Sequence, residues 1–568
     1  MLINFAGWVY ISFICLAWGN MLIKLLFKKK NPDLDTLEPS LVCLAGLTTI
    51  GTVAFLLSLI IPLGSKAHFL ILFPAIIYYA AGKRRKTLLL QISNAFKFQS
   101  VIHYFFLAVS CLLVLTISSS EIIHPDTLHY HAQSILWLQD YRAIPGMANL
   151  QIQLGFQSLL FACQAILNPF PNFFCLNGAV LSWYFLFVLK KITFIATPSD
   201  TTLPETLKSY RKWFLLFAFT MLSWTQVRLT AASISPDFIV TLYILAAFFC
   251  YKKTEACINN GKYLFLATIF SCGAVAVKLS SIAIISLPVI MFLNCLYKRK
   301  TRTAILIILI TFAILVPLLI KNFIASGYVL YPSFTFDFFH PDWKLNPLTV
   351  KNLQHYITSY ARYSTENNEA ANNTFSSFLQ WLPKWRNQQT LIDQILFYSI
   401  LITGMINVLF IKTTLHKMRG ENIVIFFIAI TGSLIWFLKA PDFRFGTGFL
   451  LSLLYTLLNS LPEITNFTFH KLGVWAFRSS VMLLLTAITS YTVYRFIRYS
   501  TCSEIIFPAG IKKGRYTKLY MSNNMEINIS KDSIGCGIIP EPCLSDTNIT
   551  FLPRGRTISD GFKSKSLN

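Results

Sequence analysis

The residues best suited to chemistry lie in one polar stretch, 120–155, which interrupts a strongly apolar sequence. Five ionisable side chains fall within eleven residues there: Glu121, His124, Asp126, His129 and His131. Because Pro125 precedes Asp126, the pattern predicts a helix that begins at this point, with the carboxylate at its positive end. On an α-helix Asp126, His129 and Tyr130 would share a face. So many titratable groups at one water–lipid boundary favour a catalytic or binding role.

The carboxylate of Asp126 is compatible with two chemistries and with a structural role. It can accept a proton from a hydroxyl nucleophile, which makes it a candidate general base. It can instead bind a divalent cation with help from His129 or His131, although this spacing is not an established zinc pattern. The structural alternative is a helix cap or a salt-bridge partner.

A second acidic residue, Asp237, follows Pro236 at the start of a later apolar span. Proline followed by aspartate is an ordinary helix start, so a structural role is one interpretation. The functional interpretation is a second carboxylate that faces Asp126 across a cavity. Arg228, nine residues earlier, is then a candidate partner for Asp237 or for an anionic ligand.

Three further basic residues and a tyrosine lie near predicted span ends. Lys278 lies in a tight turn, where it can anchor the turn at the interface or meet a lipid phosphate. Lys321 and Tyr331 belong to a segment that leaves a span. Arg444 lies between two phenylalanines and carries the group that grips phosphate with two parallel hydrogen bonds. The alternatives for Arg444 are an ion pair with Asp442 or an interfacial anchor.

Composition places these residues in a membrane protein. The chain has 568 residues, of which 55% are hydrophobic and 13% charged, with a mean hydropathy of +0.57. Such values exclude a soluble domain, and apolar runs of about 17–25 residues are long enough to cross a bilayer. The predicted fold class is an all-α polytopic membrane protein with about 14 transmembrane helices and a small extracytoplasmic C-terminal tail. The predicted spans are 2–27, 41–63, 67–82, 101–118, 173–189, 212–227, 236–251, 262–277, 280–297, 303–321, 391–411, 422–438, 446–461 and 473–493.

The net charge of +25 follows from the same architecture and does not indicate a nucleic-acid partner. The basic residues cluster in alternate loops, and one orientation places all of these clusters in the cytoplasm. The clusters include Lys28–Lys30, Lys83–Lys86, Lys190–Lys191, Lys298–Lys300 and Lys412–Arg419. This orientation predicts that both termini, and the loops that carry Asp126, Asp237 and Arg444, lie outside the cytoplasm.

The chain divides into a transmembrane core, 1–496, and a small tail, 497–568. Two large outer loops interrupt the core, the first at 119–172 and the second at 322–390. We expect the apolar segment Gly155–Leu167 to form an interfacial or re-entrant helix under the first loop. In the tail, Cys536 and Cys543 flank a short proline-rich segment, so on the oxidising side of a membrane they are expected to form a disulfide.

The order of these elements resembles the GT-C superfamily of integral membrane glycosyltransferases. An acidic residue in the first large outer loop, after an early span, is the feature that these enzymes share. More closely, the sequence resembles a bacterial family of unassigned function with GT-C-like cores. The motifs that carry this likeness are Asp126-Thr127-Leu128-His129-Tyr130-His131, Pro145-Gly146 … Asn149, Gly155-Phe156, Arg444-Phe445-Gly446, Cys536 … Pro542-Cys543 and Arg554-Gly555 … Asp560-Gly561-Phe562.

The resemblance implies a GT-C-like core in a bacterial inner membrane and transfer of a sugar from a polyprenyl-phosphate donor to a hydroxyl acceptor on a glycan or lipid. It assigns Asp126 as the base, with His129, His131 and Asp237 beside it. Phosphate binding falls to Arg228, Lys278, Lys321, Tyr331 and Arg444. Many GT-C enzymes carry two adjacent acids where this chain has Asp126 and Thr127, which favours a metal-free mechanism without cofactors over a divalent cation at Asp126. The alternatives are a transporter or lipid flippase and a non-catalytic polysaccharide-assembly protein.

Overall fold

The computed structural model describes residues 1–27, 37–168, 174–192, 203–223, 225–231, 233–256, 261–334, 336–364, 372–418, 420–461, 467–521, 525–532, 535–545 and 549–565. The basic cluster Lys28–Lys30 lies outside these residues.

The described chain is built almost entirely from helices. The α-helices are α1 Leu2–Leu26, α2 Pro39–Ser58, α3 Ser65–Ala80, α4 Gly82–Ala95, α5 Val101–Ser119, α6 Ala132–Asp140, α7 Met147–Leu150, α8 Leu159–Leu167, α9 Leu176–Leu189, α10 Leu203–Leu222, α11 Asp237–Ala256, α12 Gly261–Val277, α13 Ser286–Tyr297, α14 Thr301–Ser326, α15 Pro347–Tyr363, α16 Phe375–Gln388, α17 Leu391–Leu409, α18 Ile411–Lys417, α19 Glu421–Lys439, α20 Phe443–Ser460, α21 Phe467–Tyr499 and α22 Cys502–Ile506. Two π-helices, Thr127–His131 and Thr225–Leu229, and the 3₁₀-helices Ile152–Gly155, Leu279–Ile285 and Ile558–Asp560 complete the helical part.

The fourteen predicted apolar stretches all contain a helix. By length and composition, eight helical segments among the described residues can cross a membrane, and four more apolar helices are shorter. Most of these helices carry apolar side chains on all of their faces, as expected for helices packed in lipid or in a large core. The number of spans, fourteen, stays a prediction.

The start of the first outer loop and the start of the tail lie close together at one end of the helix bundle. At one end, the Asn4 side chain donates to the Ser119 hydroxyl at the end of α5 (3.1 Å), and the N–H of Ala509 donates to the carbonyl of Ser119 (2.9 Å). The first outer loop and the tail therefore start from the same end. Elsewhere Lys191, after α9, forms an ion pair with Glu38, just before α2 (2.7 Å). The membrane orientation of these two ends stays a prediction.

The tail contains the strands, and it does not pack by itself. Strands β1 Tyr516–Tyr520 and β2 Glu526–Ser530 pair antiparallel, β3 Cys543–Leu544 adds parallel to β2, and β4 Phe551–Pro553 pairs with β5 Phe562–Ser564. Its buried side chains share one core with the first outer loop: Trp137, Ile144, Leu150 and Leu154 from the loop, and Met525, Ile527, Ile529, Leu544, Phe551 and Phe562 from the tail. A segment of this size cannot bury enough apolar surface alone, so it completes its core against the loop.

The apolar segment Gly155–Leu167 of the first outer loop contains a buried helix, which does not fit a helix lying on the membrane surface; the re-entrant alternative stays a prediction. Its helical part, α8, has all nine residues buried and packs against α2 and α6. An interfacial helix would expose one polar face to water. Because α8 has no such face, it lies within the protein, as part of the support beneath the loop.

The predicted orientation leads to a labelling result. In a Cys502→Ser background, which removes an exposed free thiol, cysteine at exposed Lys351 on α15 should react with a membrane-impermeant maleimide in intact cells. Cysteine at Lys298, which is exposed after α13, should react only after the membrane is permeabilised. The measurement is gel-shift labelling of the two variants. Reaction at Lys298 alone in intact cells would reverse the assigned orientation.

Candidate functional site

A π-helix carries the central histidines of the site. The helix begins at Pro125, as the sequence predicts, and Asp126 precedes the π-helical turn Thr127–His131, which continues into α6. A π-helical turn inside an α-helix is uncommon and recurs at functional sites. Within this turn Thr127 Oγ1 and His131 Nδ1, four residues apart, lie 3.2 Å from each other. The α-helical spacing assumed from the sequence does not describe this turn.

Arg444 joins this turn to the start of α20. Its Nη1 donates to Asp126 Oδ2 (2.8 Å), and its Nε donates to Asp442 Oδ2 (2.8 Å). Asp442 also caps α20, because its Oδ1 accepts from the N–H of Arg444 (3.1 Å). The ion pair with Asp442 that the sequence suggested is therefore present, together with a second one to Asp126. Residues 318 positions apart in the chain meet here.

Asp237 and Lys278 complete the charged group. The Lys278 ammonium forms an ion pair with Asp237 Oδ1, and Asp237 Oδ2 lies 3.8 Å from Arg444 Nε. The Phe445 ring lies beside both cations, 3.7 Å from Lys278 Nζ and 4.7 Å from Arg444 Cζ. Three carboxylates and two cations thus meet at one point, which we call the charged cluster: Asp126, Asp237, Lys278, Asp442 and Arg444.

The charges of the cluster fix the protonation state of Asp126. Burial alone would raise the pKa of this carboxyl group, but Arg444, with smaller contributions from His131 and His124, holds the pKa well below its usual range. Burial lowers the pKa of His131 to about 3 and also lowers the pKa of His124 and His129. Near neutral pH the site therefore offers an ionised carboxylate beside neutral imidazoles.

Aromatic side chains form one wall beside the π-helix. The Tyr130 ring lies 4.4 Å from that of His131 and 6.0 Å from that of Phe156, which in turn lies 5.4 Å from Tyr331. The Tyr331 hydroxyl donates to the carbonyl of Ile152 (2.8 Å), so this predicted ligand-binding residue holds the first loop. It does so from a buried position.

Not every predicted site residue joins the cluster. The backbone carbonyl of His129 accepts from Gln151 Nε2 (3.2 Å), so His129 is tied to the first loop. Lys321 is buried on α14 and lines a separate cavity. Arg228 lies half-buried in the second π-helix, Thr225–Leu229, while the ion pairs found for Asp237 in the described chain are with Lys278 and Arg444. Phosphate binding by Arg228 and Lys321 stays a prediction.

The tail covers the π-helix directly, which the sequence did not reveal. The N–H of Gly537 donates to the carbonyl of Leu128 (2.7 Å), and Gln133 Nε2 donates to the carbonyl of Ile539 (2.7 Å). Both tail residues lie in the loop closed by the disulfide between Cys536 and Cys543. Glycines beside the cysteines were the only sequence signal for this close approach.

Other resemblance motifs also meet through the tail. The N–H of Phe562 donates to the carbonyl of Pro145 (3.0 Å), and Ser564 Oγ donates to Asn149 Oδ1 (2.6 Å). Arg554 forms a bidentate pair with Asp342 of the second outer loop (2.8 and 3.0 Å). The tail therefore ties both outer loops together around the site.

The fit of the tail on the π-helix predicts a large effect at Gly535. This residue has a φ of +128°, and an added Cβ would lie 2.7 Å from the His129 Cα. Gly535→Ala should therefore displace the tail from the π-helix, lower the melting temperature and reduce any activity of the site. Gly404→Ala on α17 is the matched control, because open space surrounds that position. Equal melting temperatures for the two variants would contradict the assigned contact.

The charged cluster does not carry a recognisable metal site. Within the described residues, no three or more His, Cys, Asp and Glu side chains are grouped so as to hold a metal ion. The oxygens that could bind a cation, those of Asp126, Asp237 and Asp442, instead face Arg444 and Lys278.

Fold and site together define a helical protein with several helices apolar and long enough to cross a membrane, a charged cluster among them, and a tail that packs against the turn carrying Asp126. The chain belongs to a family described as a domain of unknown function (DUF8201), which matches residues 1–451. No curated protein and no solved structure matches the chain.

Proposed function

We propose that this protein is a membrane glycosyltransferase that uses a polyprenyl-phosphate-linked sugar and a hydroxyl acceptor on the extracytoplasmic face. The observation that carries the proposal is the convergence of Asp126, Asp237, Lys278 and Arg444 from four separate parts of the chain. A proton acceptor lies within hydrogen-bond distance of a guanidinium that can bind phosphate. Transfer from a phosphate-linked donor can use both groups, a base for the acceptor hydroxyl and a cation for the leaving phosphate.

The proposed step is a single displacement with inversion at the anomeric carbon. The acceptor oxygen forms a bond to this carbon and gives its proton to the Asp126 carboxylate. The bond between the anomeric carbon and the phosphate oxygen breaks, and its electron pair stays on the phosphate. Arg444 and Lys278 stabilise the charge that develops there, which accelerates the step because the phosphate carries more negative charge in the transition state than in the bound donor.

The ion pair between Arg444 and Asp126 has a role in this scheme. A donor phosphate competes with Asp126 for the guanidinium, and a planar fork can serve a carboxylate and a phosphate in turn. When Arg444 turns to the phosphate, Asp126 loses its main charge partner and becomes a stronger base. Asp442 can keep hold of the Nε edge of Arg444 throughout, and Asp237 can keep Lys278 in place.

The direct test is donor turnover by the purified protein in lipid nanodiscs. Defined polyprenyl-phosphate sugars are added with a panel of alcohol and glycan acceptors, and mass spectrometry follows released polyprenyl phosphate and the glycosylated product. The Asp126→Asn variant is the matched control. If the wild type binds the donor but does not release polyprenyl phosphate, the protein is a non-catalytic assembly component. If it shows no binding and no release with any donor and acceptor in the panel, the proposal is contradicted.

A further inference from the structure

A small cavity with a few polar groups in its wall lies between α6, the first outer loop and α14. Its lining includes Ser134, Trp137, Phe161 and Lys321, all of them in the described part of the chain. None of the five residues of the charged cluster lines this cavity, and the ring of Phe161 on its wall lies 5.2 Å from that of His131. Its content can therefore be considered apart from the donor phosphate.

Three hydrogen-bond donors line this cavity without a partner. Ser134 Oγ and Trp137 Nε1 are buried and have no hydrogen-bond partner among the described residues. The Lys321 side chain is 5% exposed, and neither a hydrogen bond nor an ion pair connects it to the rest of the described chain. Ser134 and Trp137 are three residues apart on α6, which places them on one face. A buried ammonium that lacks a partner is costly, so a ligand at this position would be stabilising.

The lining identifies the charge of that ligand. No acidic side chain lines the cavity, whereas Arg142, exposed in the first loop, supplies a second cation. Trp and Lys side chains donate hydrogen bonds and accept none. The cavity volume is about 20 Å³, which suits one water molecule or an ion of similar size. We propose that the cavity binds a small monovalent anion of halide size, held by Lys321, Ser134 and Trp137.

Such an anion would connect two elements that position the site. α6 continues the π-helix that carries His131, and α14 runs on to the carbonyl of Ile324, which accepts from the N–H of Gly146 in the first loop (2.8 Å). An ion bound between α6 and α14 therefore holds the first outer loop on the side of α14, while the tail holds it through the contacts of Gly537 and Phe562. The alternative occupant is a water molecule on an uncharged lysine amine.

The test compares anions at constant ionic strength. Purified wild-type protein should show a higher melting temperature in sodium chloride or bromide than in sodium gluconate, with a saturable dependence on concentration. Lys321→Met, which keeps most of the volume but removes the charge, should lose this dependence. Lys351→Met, at an exposed position on α15, is the control and should retain it. An equal melting temperature in chloride and gluconate would overturn the proposal in favour of water.

Two further variants, Ser134→Ala and Trp137→Phe, test the anion site independently of any folding defect in Lys321→Met. Ser134→Ala removes one donor, so the apparent affinity for bromide should fall about 2- to 12-fold, as expected for one hydrogen bond. Quenching of tryptophan fluorescence by iodide should contain a saturable component that Trp137→Phe removes. If Ser134→Ala and Trp137→Phe both keep wild-type anion dependence, the anion does not bind in this cavity. These readouts do not depend on sugar transfer, so they stand or fall separately from the proposed function.

Discussion

Asp126→Asn is expected to lower turnover by about 10²–10⁴-fold, the usual cost of removing a general base. The amide keeps the size of the side chain and can still accept a hydrogen bond from Arg444 Nη1, so the fold should persist. Asparagine also serves well at helix starts, which means that a purely structural role predicts a tolerated substitution. The measurement is single-turnover release of polyprenyl phosphate, together with thermal unfolding and donor binding.

Three outcomes distinguish the roles of Asp126. Loss of turnover with normal folding and donor binding supports the base. Wild-type turnover in Asp126→Asn protein rules the base out. Chelator treatment of the wild type separates the remaining possibility, because activity that only a divalent cation restores would make Asp126 a metal ligand.

Arg444→Lys should weaken donor binding by about 10- to 150-fold, which corresponds to the loss of one charge-assisted hydrogen bond. In the structure separate nitrogens of Arg444 bind Asp126 and Asp442, and in the proposed scheme the phosphate takes the place of Asp126 on this fork. A lysine keeps one charge but replaces this planar fork by a single nitrogen. Arg386→Lys on α16 is the matched control, because Arg386 is exposed and its side chain bonds its neighbour Asn387.

The same variant should change the pH profile. Arg444 holds the pKa of Asp126 well below its usual range, so the acid limb of kcat/KM in the wild type should lie below the ordinary aspartate value of about 3.9. When the lysine fails to reach Asp126, burial dominates and raises the pKa, so the acid limb moves to higher pH. If Arg444→Lys changes neither the acid limb of kcat/KM nor the affinity for the donor, Arg444 neither binds the donor phosphate nor controls the pKa of Asp126.

The helices could be predicted because apolar length is a local property of the sequence. The predicted start at Pro125 and the start of α11 at Asp237 agree with the structure, since proline and aspartate act within one turn. The buried position of α8 could not be predicted, because an apolar segment of nine residues reads alike in lipid and in a protein core. The shared core of tail and first loop is likewise a long-range packing effect.

The pair of Arg444 with Asp442 was predicted as one alternative, whereas the pairs of Arg444 with Asp126 and of Lys278 with Asp237 were not. Residue type and position near span ends singled out Asp126, Asp237, Lys278 and Arg444. Which cation meets which carboxylate depends on how α11, α12 and α20 pack side by side, and one sequence carries little information on that. The π-helix also changes the spacing on which the predicted face of Asp126, His129 and Tyr130 rested.

The contact between the first outer loop and the tail determines when this part of the protein can finish folding during synthesis. Asn149 donates to the carbonyl of Phe562, which follows it by 413 residues (3.3 Å). At common synthesis rates of about 5–20 residues per second, the loop waits roughly 20–80 s for this partner. Asp126 is made before this interval begins, Arg444 is added within it, and the covering tail comes last. The contacts of the first outer loop with the tail can therefore form only after nearly the whole chain has been made, so the site is completed at the end of synthesis.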